Sequence, residues 1–479
     1  MMDGPPRRTA IVATLGPAIR NADMLRALVA AGADVFRLNF SHGDHETHRR
    51  NVALIREVEE ETGRPLGILA DLQGPKIRTG PTPDDGPVFI ASGAQVTLTS
   101  GDDVCSAEAI TVDYPHLARE IEPGMAVVIN DGAIRLRVDR VDPASNAIAC
   151  TALNSGSFSS RKGVNLPRVP LRIPALTQKD RADLDFIVQL DVRFIALSFV
   201  RRAADVALLK EVIGDRRSDI RIIAKIEKPE AADAVDEILA VADGIMVARG
   251  DLGVEAAAHE VPIIQKNLIR RAEAVRKPVI VATQMLESMM EHPLPTRAEA
   301  SDVANAIFDG ADAVMLSGET AVGAWPAEAV QMMSKIACTA EQSEYLRPIR
   351  LQDPDTTTVS SRALCDAAAR ASAELSHLPI CVFTLSGDTA IYVSKLRTPA
   401  PVYAFSPDLQ VLRILCLAGN VTAFQIPFAT HIDDLVADAE QILLSRGLLH
   451  SGDRMVVVSG TTPARGAANY MQIRQVGNR

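Results

Sequence analysis

RIIAKIEKPE, residues 221 to 230, passes from apolar, β-branched residues into a lysine and a glutamate two positions apart. In a strand, residues i and i+2 point to one face, so Lys225 and Glu227 share a site. The flanking RII and ADGIMVA (242–248) runs argue against a solvated surface pair. Opposite charges placed together offset part of each other's desolvation, the condition under which a chain buries them. The stretch reads as a buried strand whose end carries chemistry.

Seven further runs have the same texture: AIVATLG (10–16), DVFRLNF (34–40), PLGILADL (65–72), FIALSFV (194–200), GIMVARGD (244–251), PVIVATQ (278–284) and AVMLSGET (313–320). Stretches of helical period, such as 21–32 and 260–277, lie between most of them. Eight strands alternating with helices predict an α/β fold, a closed (β/α)8 TIM barrel; a doubly wound open sheet stays as the alternative. In a barrel the C-terminal strand ends meet in one ring, where active sites are built. The ring collects Arg37, Asn39 and Ser41, then Asp71, Lys225 with Glu227, Arg249 with Asp251, Thr283 with Gln284, and Ser317 with Glu319. Strand interiors are Val, Ile, Leu, Ala and Met, so polarity is concentrated at one end.

The third and fourth runs are separated by a long insert. Segments 87–100 and 125–153 alternate apolar with polar residues and break at Asp-Gly, Asp-Pro and Ser-Asn turn signals, which predicts an all-β unit. A linker is expected around 341–357, with Pro348 and Pro354. Runs at 379–387, 401–406, 421–428 and 453–460 alternate with helix candidates and predict a second α/β sheet. The expected division is residues 1–73 and 171–340 as the barrel, 74–170 as the inserted β-barrel lid, and 355–479 as a C-terminal α/β unit.

Composition narrows the function. A chain of 479 residues with 47% apolar content supplies several cores. A formal net charge of −10 argues against a nucleic-acid surface. Six cysteines without CxxC or CxH spacing suit neither a disulfide framework nor a zinc site. The N-terminal RRTAIVATLGPAI imitates a signal peptide but is interrupted at Thr14, Gly16 and Pro17, and no apolar run is long enough for a membrane span. The expected location is the cytoplasm.

Two carboxylates, Glu227 and Asp251, can hold a hard divalent cation such as Mg²⁺. Two arginines and a lysine facing the same volume suit a phosphate or carboxylate substrate. Phosphoryl transfer needs both a metal and a positioned cation, and Lys225 is placed to be that cation. Other readings stand beside these: Arg37 as an arginine holding loop carbonyls, Asp71 as a turn residue, His42 as a loop-stabilising histidine, Thr283 and SGET as helix caps.

The motifs RLNFSHG (37–43), DLQGPKIRTG (71–80), RKGVNLP (161–167), IIAKIEKPEA (222–231), VARGDLGVE (247–255), VATQMLESM (281–289) and MLSGETAVG (315–323) follow the order and spacing seen in pyruvate kinases. The chain resembles that family, in its bacterial form, over nearly its whole length. The resemblance implies transfer of phosphoryl from phosphoenolpyruvate to ADP, giving pyruvate and ATP in glycolysis. It implies Lys225 and Thr283 as catalytic residues, with Thr283 on the proton-delivery path. Arg37, Lys225, Gly250, Asp251 and Thr283 would bind substrate, and Arg78, Lys162, Asn39 and His42 the nucleotide. Glu227 and Asp251 would hold Mg²⁺ or Mn²⁺, and Asn39, Ser41 and Asp71 match a K⁺ site. A homotetramer with an allosteric C-terminal unit is also implied.

Three departures from the family pattern stand out. Where members that bind K⁺ tend to carry threonine and glutamate, this chain has Leu72 and Lys76. The lysine ammonium is expected to replace the ion and make K⁺ dispensable. Ala10 stands where lysine is common, and Arg168 where glycine is usual. TLSGDTA (384–390) resembles a phosphate-holding activator loop, with Thr384, Ser386 and Thr389 as ligands for a sugar phosphate or AMP. Asp388 within it would repel phosphate unless Lys395, Arg397 or Arg465 offsets the charge, and TTPARGAAN (461–469) lacks hydroxyls of the usual closing loop. Two rivals remain: a Mg²⁺-dependent aldolase acting on 2-oxo acids, and a non-catalytic metabolite sensor that binds partners.

Overall fold

A computed structural model describes residues 7–19, 21–169, 171–217, 219–346, 359–460 and 468–477. Eight parallel strands close into a barrel: β1 Ala10–Thr14, β2 Val35–Asn39, β3 Gly67–Asp71, β4 Phe194–Leu197, β5 Arg221–Ile226, β6 Gly244–Ala248, β7 Val279–Ala282 and β8 Ala313–Leu316. Closure of β1 onto β8, with Ala10 opposite Ala313, removes the open-sheet alternative. β1, β3, β6, β7 and β8 are buried at every position because helices cover the outer face and side chains fill the inside. Val12, Leu69, Ile223, Met246, Ile280 and Met315 pack inside the barrel, while alternate residues such as Ile11, Ile68 and Ile222 face the helices.

The strands are shorter than the apolar runs that announce them. The tails RGD and SGET leave the sheet and open short helices, Arg249–Glu255 and Gly318–Ala321. Longer helices start where side chains satisfy the free N–H groups. Thr177 with Asp180 and Thr296 with Glu299 form capping boxes, and Gly310 at φ 115° ends the helix Arg297–Asp309.

Between β3 and β4 the chain builds a six-stranded sheet in the order Val164–Asn165, Ala126–Ile129, Ile134–Asp142, Ala147–Ala152, Gln95–Ser100, Ala109–Val112. Its core holds Leu98, Ile110, Leu136, Val138 and Ile148. The insert is not wholly β, since a short helix, Leu117–Glu120, follows its Ala109–Val112 strand. Both crossings between barrel and insert are tied down. Gly74 N–H donates to buried Asp180, and Arg201 donates to the carbonyls of Leu171 and Ile173. Arg168 sits at φ 60°, the left-handed region, which accounts physically for a glycine preference there.

The C-terminal sheet has five strands in the order Val421–Gln425, Val402–Ser406, Ile380–Phe383, Arg454–Ser459, Tyr470–Gln475, the last antiparallel. Sequence reading finds four of them. It docks under the N-terminal end of the barrel, where Ile414 and Leu417 join the barrel's interior cluster. Buried ion pairs Arg413–Glu59 and Lys395–Asp312 cross the same seam. Of the expected linker 341–357, Glu341 still ends the helix Pro326–Glu341, and 347–357 lie outside the described residues, as do 461–467 with Arg465. No helix among the described residues is long and apolar enough to cross a membrane.

Candidate active site

β2, β3, β4 and β5 deliver one charged cluster at their C-terminal ends. Arg37 Nε donates to Asp71 Oδ2 at 2.6 Å, and an Arg37 Nη donates to Thr14 Oγ1 at 3.2 Å. Lys225 Nζ donates to Ser198 Oγ at 2.7 Å and lies 3.3 Å from Asp71 Oδ1 and 2.8 Å from Glu227 Oε1. Glu227 Oε2 accepts the Phe199 N–H at 2.6 Å. The pair read from RIIAKIE is therefore one site, although β5 itself ends at Ile226. Ser198 and Phe199 are absent from the sequence-derived ring. Their signal was a lone serine in FIALSFV, hidden because the run reads as one apolar strand, whereas β4 stops at Leu197.

Burial would raise the Asp71 carboxyl, but Lys225 and Arg37 together outweigh it and hold it below the usual carboxylate range. Burial likewise works against the Lys225 charge, and the carboxylates of Asp71 and Glu227 overcome it, so the ammonium stays protonated. Glu227 is raised, first by burial and further by the facing Asp251 carboxylate, with Lys225 opposing. Its Oε1 is buried and lacks a partner in hydrogen-bonding geometry despite the ion pair. Two carboxylates that repel each other around such an oxygen fit a hard divalent cation. Among the described residues no group of three or more His, Cys, Asp or Glu is arranged for a metal. The protein thus offers two carboxylates, and the remaining positions would fall to water and substrate oxygens.

Arg249 does not join the cluster. It donates to the carbonyls of Thr283 and Gln284 and pairs with Asp302. The sequence placed two arginines in the shared volume; only Arg37 is there. Arg249 holds down a loop in which Thr283 at φ 68° and Gln284 at φ 53° are both left-handed, a strained state for a β-branched residue. Thr283 Oγ1 accepts the Gly250 N–H at 2.7 Å, so that amide, expected to face a substrate carboxylate, is engaged here. Glu319 turns its carboxylate onto the N–H groups of Leu286 and Ser317 as a backbone clamp.

The cluster floors a cleft of about 510 Å³ whose far wall is the insert. Arg37, Asn39, Ser41, His42 and Asp71 face it from the barrel, and Arg78 and Lys162 from the insert. Asn39 Oδ1 accepts the Ser41 N–H. His42 is exposed, and its carbonyl bonds to His48 Nε2. Lys76 lines the same cleft close to Gly163 and forms no ion pair among the described residues.

In the C-terminal loop, Thr384 Oγ1 accepts the Gly387 N–H, and Ser386 Oγ donates to Asp388. Of the groups that could offset Asp388, Lys395 is committed to Asp312 and Arg397 to Glu273, while Arg221 lies 3.6 Å from Asp388.

An eight-stranded barrel bearing a lysine, an arginine and three carboxylates at its C-terminal mouth, roofed by a β insert that turns Arg78 and Lys162 toward it, defines a barrel enzyme built for anionic substrates. The barrel-domain description of pyruvate kinases matches residues 6–330, and their alpha/beta-domain description matches residues 362–474. The pyruvate kinase of Geobacillus stearothermophilus is 43% identical over 475 residues, covering 98% of this chain and 81% of that protein. That of Corynebacterium glutamicum is 43% identical over 98% of both chains. That of Mycobacterium tuberculosis strain H37Rv is 42% identical over 98% of this chain and 99% of its own. The chain belongs to the pyruvate kinase family, a family of phosphotransferases.

Proposed function

We propose that this chain moves the phosphoryl group of phosphoenolpyruvate to ADP, yielding ATP and an enolate that is protonated to pyruvate. The supporting observation is the Lys225 ammonium, kept charged between Asp71 and Glu227 at the floor of the cleft. There it meets the negative charge that develops on the moving phosphoryl. Arg37, held by Asp71, grips phosphate through its remaining in-plane guanidinium N–H groups.

The cluster of Arg37, Lys225, Asp71, Glu227 and Asp251 carries one more negative than positive charge. That balance would repel phosphate, and a divalent ion reverses it. Glu227 and Asp251 would hold Mg²⁺ or Mn²⁺, which would supply Lewis-acid charge at the substrate's oxygens. Thr283 Oγ1, fixed against Gly250, holds and passes the proton for the enolate. The Gly250–Asp251 segment orients the substrate carboxylate once Thr283 yields the amide. Asn39, His42, Arg78 and Lys162 take the nucleotide, and the insert covers the reaction and excludes water.

Family members generally need a divalent metal and potassium. In this chain Lys76, inside the cleft, takes the place of K⁺ at Asn39, Ser41 and Asp71. We retain residues 1–73 and 171–340 as the catalytic barrel, 74–170 as the lid and 355–479 as a regulatory unit of a homotetramer. Thr384, Ser386 and Thr389 remain the candidate effector ligands. A coupled assay for pyruvate with phosphoenolpyruvate, ADP and Mg²⁺, repeated with sugar phosphates and AMP, tests the reading; no pyruvate under any condition ends it.

A further inference from the structure

Lys228 and Glu255 have no part in the roles above. Lys228 Nζ lies 3.2 Å from Glu255 Oε1, and both side chains are buried. Lys228 directly follows Glu227, and Glu255 lies one helical turn beyond Asp251 on the helix Arg249–Glu255. The ion pair therefore joins the two segments that carry the two facing carboxylates. Asn165, on the insert strand Val164–Asn165, donates Nδ2–H to the same Glu255 Oε1 at 3.0 Å. Lys162 and Gly163, three and two positions earlier, line the cleft.

A buried ion pair adds little net stability over apolar residues of similar size, and its best use is to fix geometry. We propose that Glu255 is a positioning residue. Through Lys228 it sets the spacing of Glu227 and Asp251, and through Asn165 it makes that spacing depend on how the insert is seated. Its kinetic consequence rests on the phosphotransfer reading above; its effect on metal affinity rests only on the two carboxylates.

The test compares Asn165→Ala, Glu255→Gln and the double variant by Mn²⁺ titration and by steady-state kinetics. Glu255→Gln should weaken Mn²⁺ binding about tenfold or more without nucleotide. Asn165→Ala leaves the ion pair whole, so Mn²⁺ affinity without nucleotide should hold, while kcat falls about tenfold with the KM for phosphoenolpyruvate unchanged. The double variant should be no worse than Glu255→Gln alone. Unchanged Mn²⁺ affinity in folded Glu255→Gln, or additive losses in the double variant, would overturn the proposal. If Glu255→Gln does not fold, Asn165→Ala decides alone, and an unchanged kcat overturns it. A parent enzyme that makes no pyruvate refutes the assigned reaction, and the Mn²⁺ comparison still judges the positioning.

Discussion

The Thr283 hydroxyl accepts the Gly250 amide at 2.7 Å and donates to the Ala282 carbonyl at 2.6 Å, joining the ends of the neighbouring strands β6 and β7 at the barrel mouth. Thr283→Val keeps the shape and removes both bonds. Turnover should fall about a hundredfold, as for loss of a proton-transfer group. Thr283→Ser should keep most of it. Equal rates for the two variants in the pyruvate assay would exclude the hydroxyl from the reaction.

Lys225→Met should lower kcat about 10³-fold, because it removes the ammonium at the cleft floor that meets the developing charge. The same substitution should also destabilise the fold. Removing the cation strands Asp71 and Glu227, both buried, at a cost of about 3–5 kcal/mol. Thermal unfolding should show a lower midpoint for Lys225→Met than for Lys225→Arg.

Lys76 already supplies a positive charge in the cleft, so replacing K⁺ by a bulky organic cation should leave turnover unchanged. Lys76→Glu should make the enzyme depend on K⁺, since a carboxylate there would need a counter-ion. Near-total loss of rate in the parent on K⁺ removal would refute the substitution of ammonium for ion.

Glu273 is pushed up to about 7, first by burial and then by Asp312, against the pull of Arg397 and Lys395. A carboxyl with a raised folded-state pKa binds more protons folded than unfolded between its two pKa values. Stability should therefore decline as pH rises from its unfolded value of 4.5 to about 7, and stay reduced above. The difference between the two values corresponds to about 3 kcal/mol. In Glu273→Gln the unfolding midpoint should lose this part of its slope between pH 4.5 and about 7. A slope equal to that of the parent would rule out Glu273 as the cause.

How far the sequence speaks depends on what each residue answers to. Fully covered parallel strands must be apolar throughout, so all eight barrel strands are visible as runs, and Lys225 with Glu227 stands out against them. Strand ends are less visible. RGD and SGET look like continuations of β6 and β8, yet their polar and glycine residues serve helix starts. The role of Arg249 depends on Asp302 and on the carbonyls of Thr283 and Gln284, partners that only the closed barrel brings near. Ser198 hid inside an apolar run for the same reason. The strand Tyr470–Gln475 escaped notice because it is a partly exposed edge, with Ile473 open to solvent and no unbroken apolar run.

Ile414 and Leu417 act as a stopper in the underside of the barrel, and Arg413 bolts that stopper to Glu59. The catalytic half therefore borrows part of its floor from the far end of the polypeptide. A fragment ending before residue 359 would leave greasy side chains of the inner staves, Phe194 and Ile223 among them, open to water. Such a fragment should clump on expression, so trimming the chain to its chemistry is no route to a smaller catalyst.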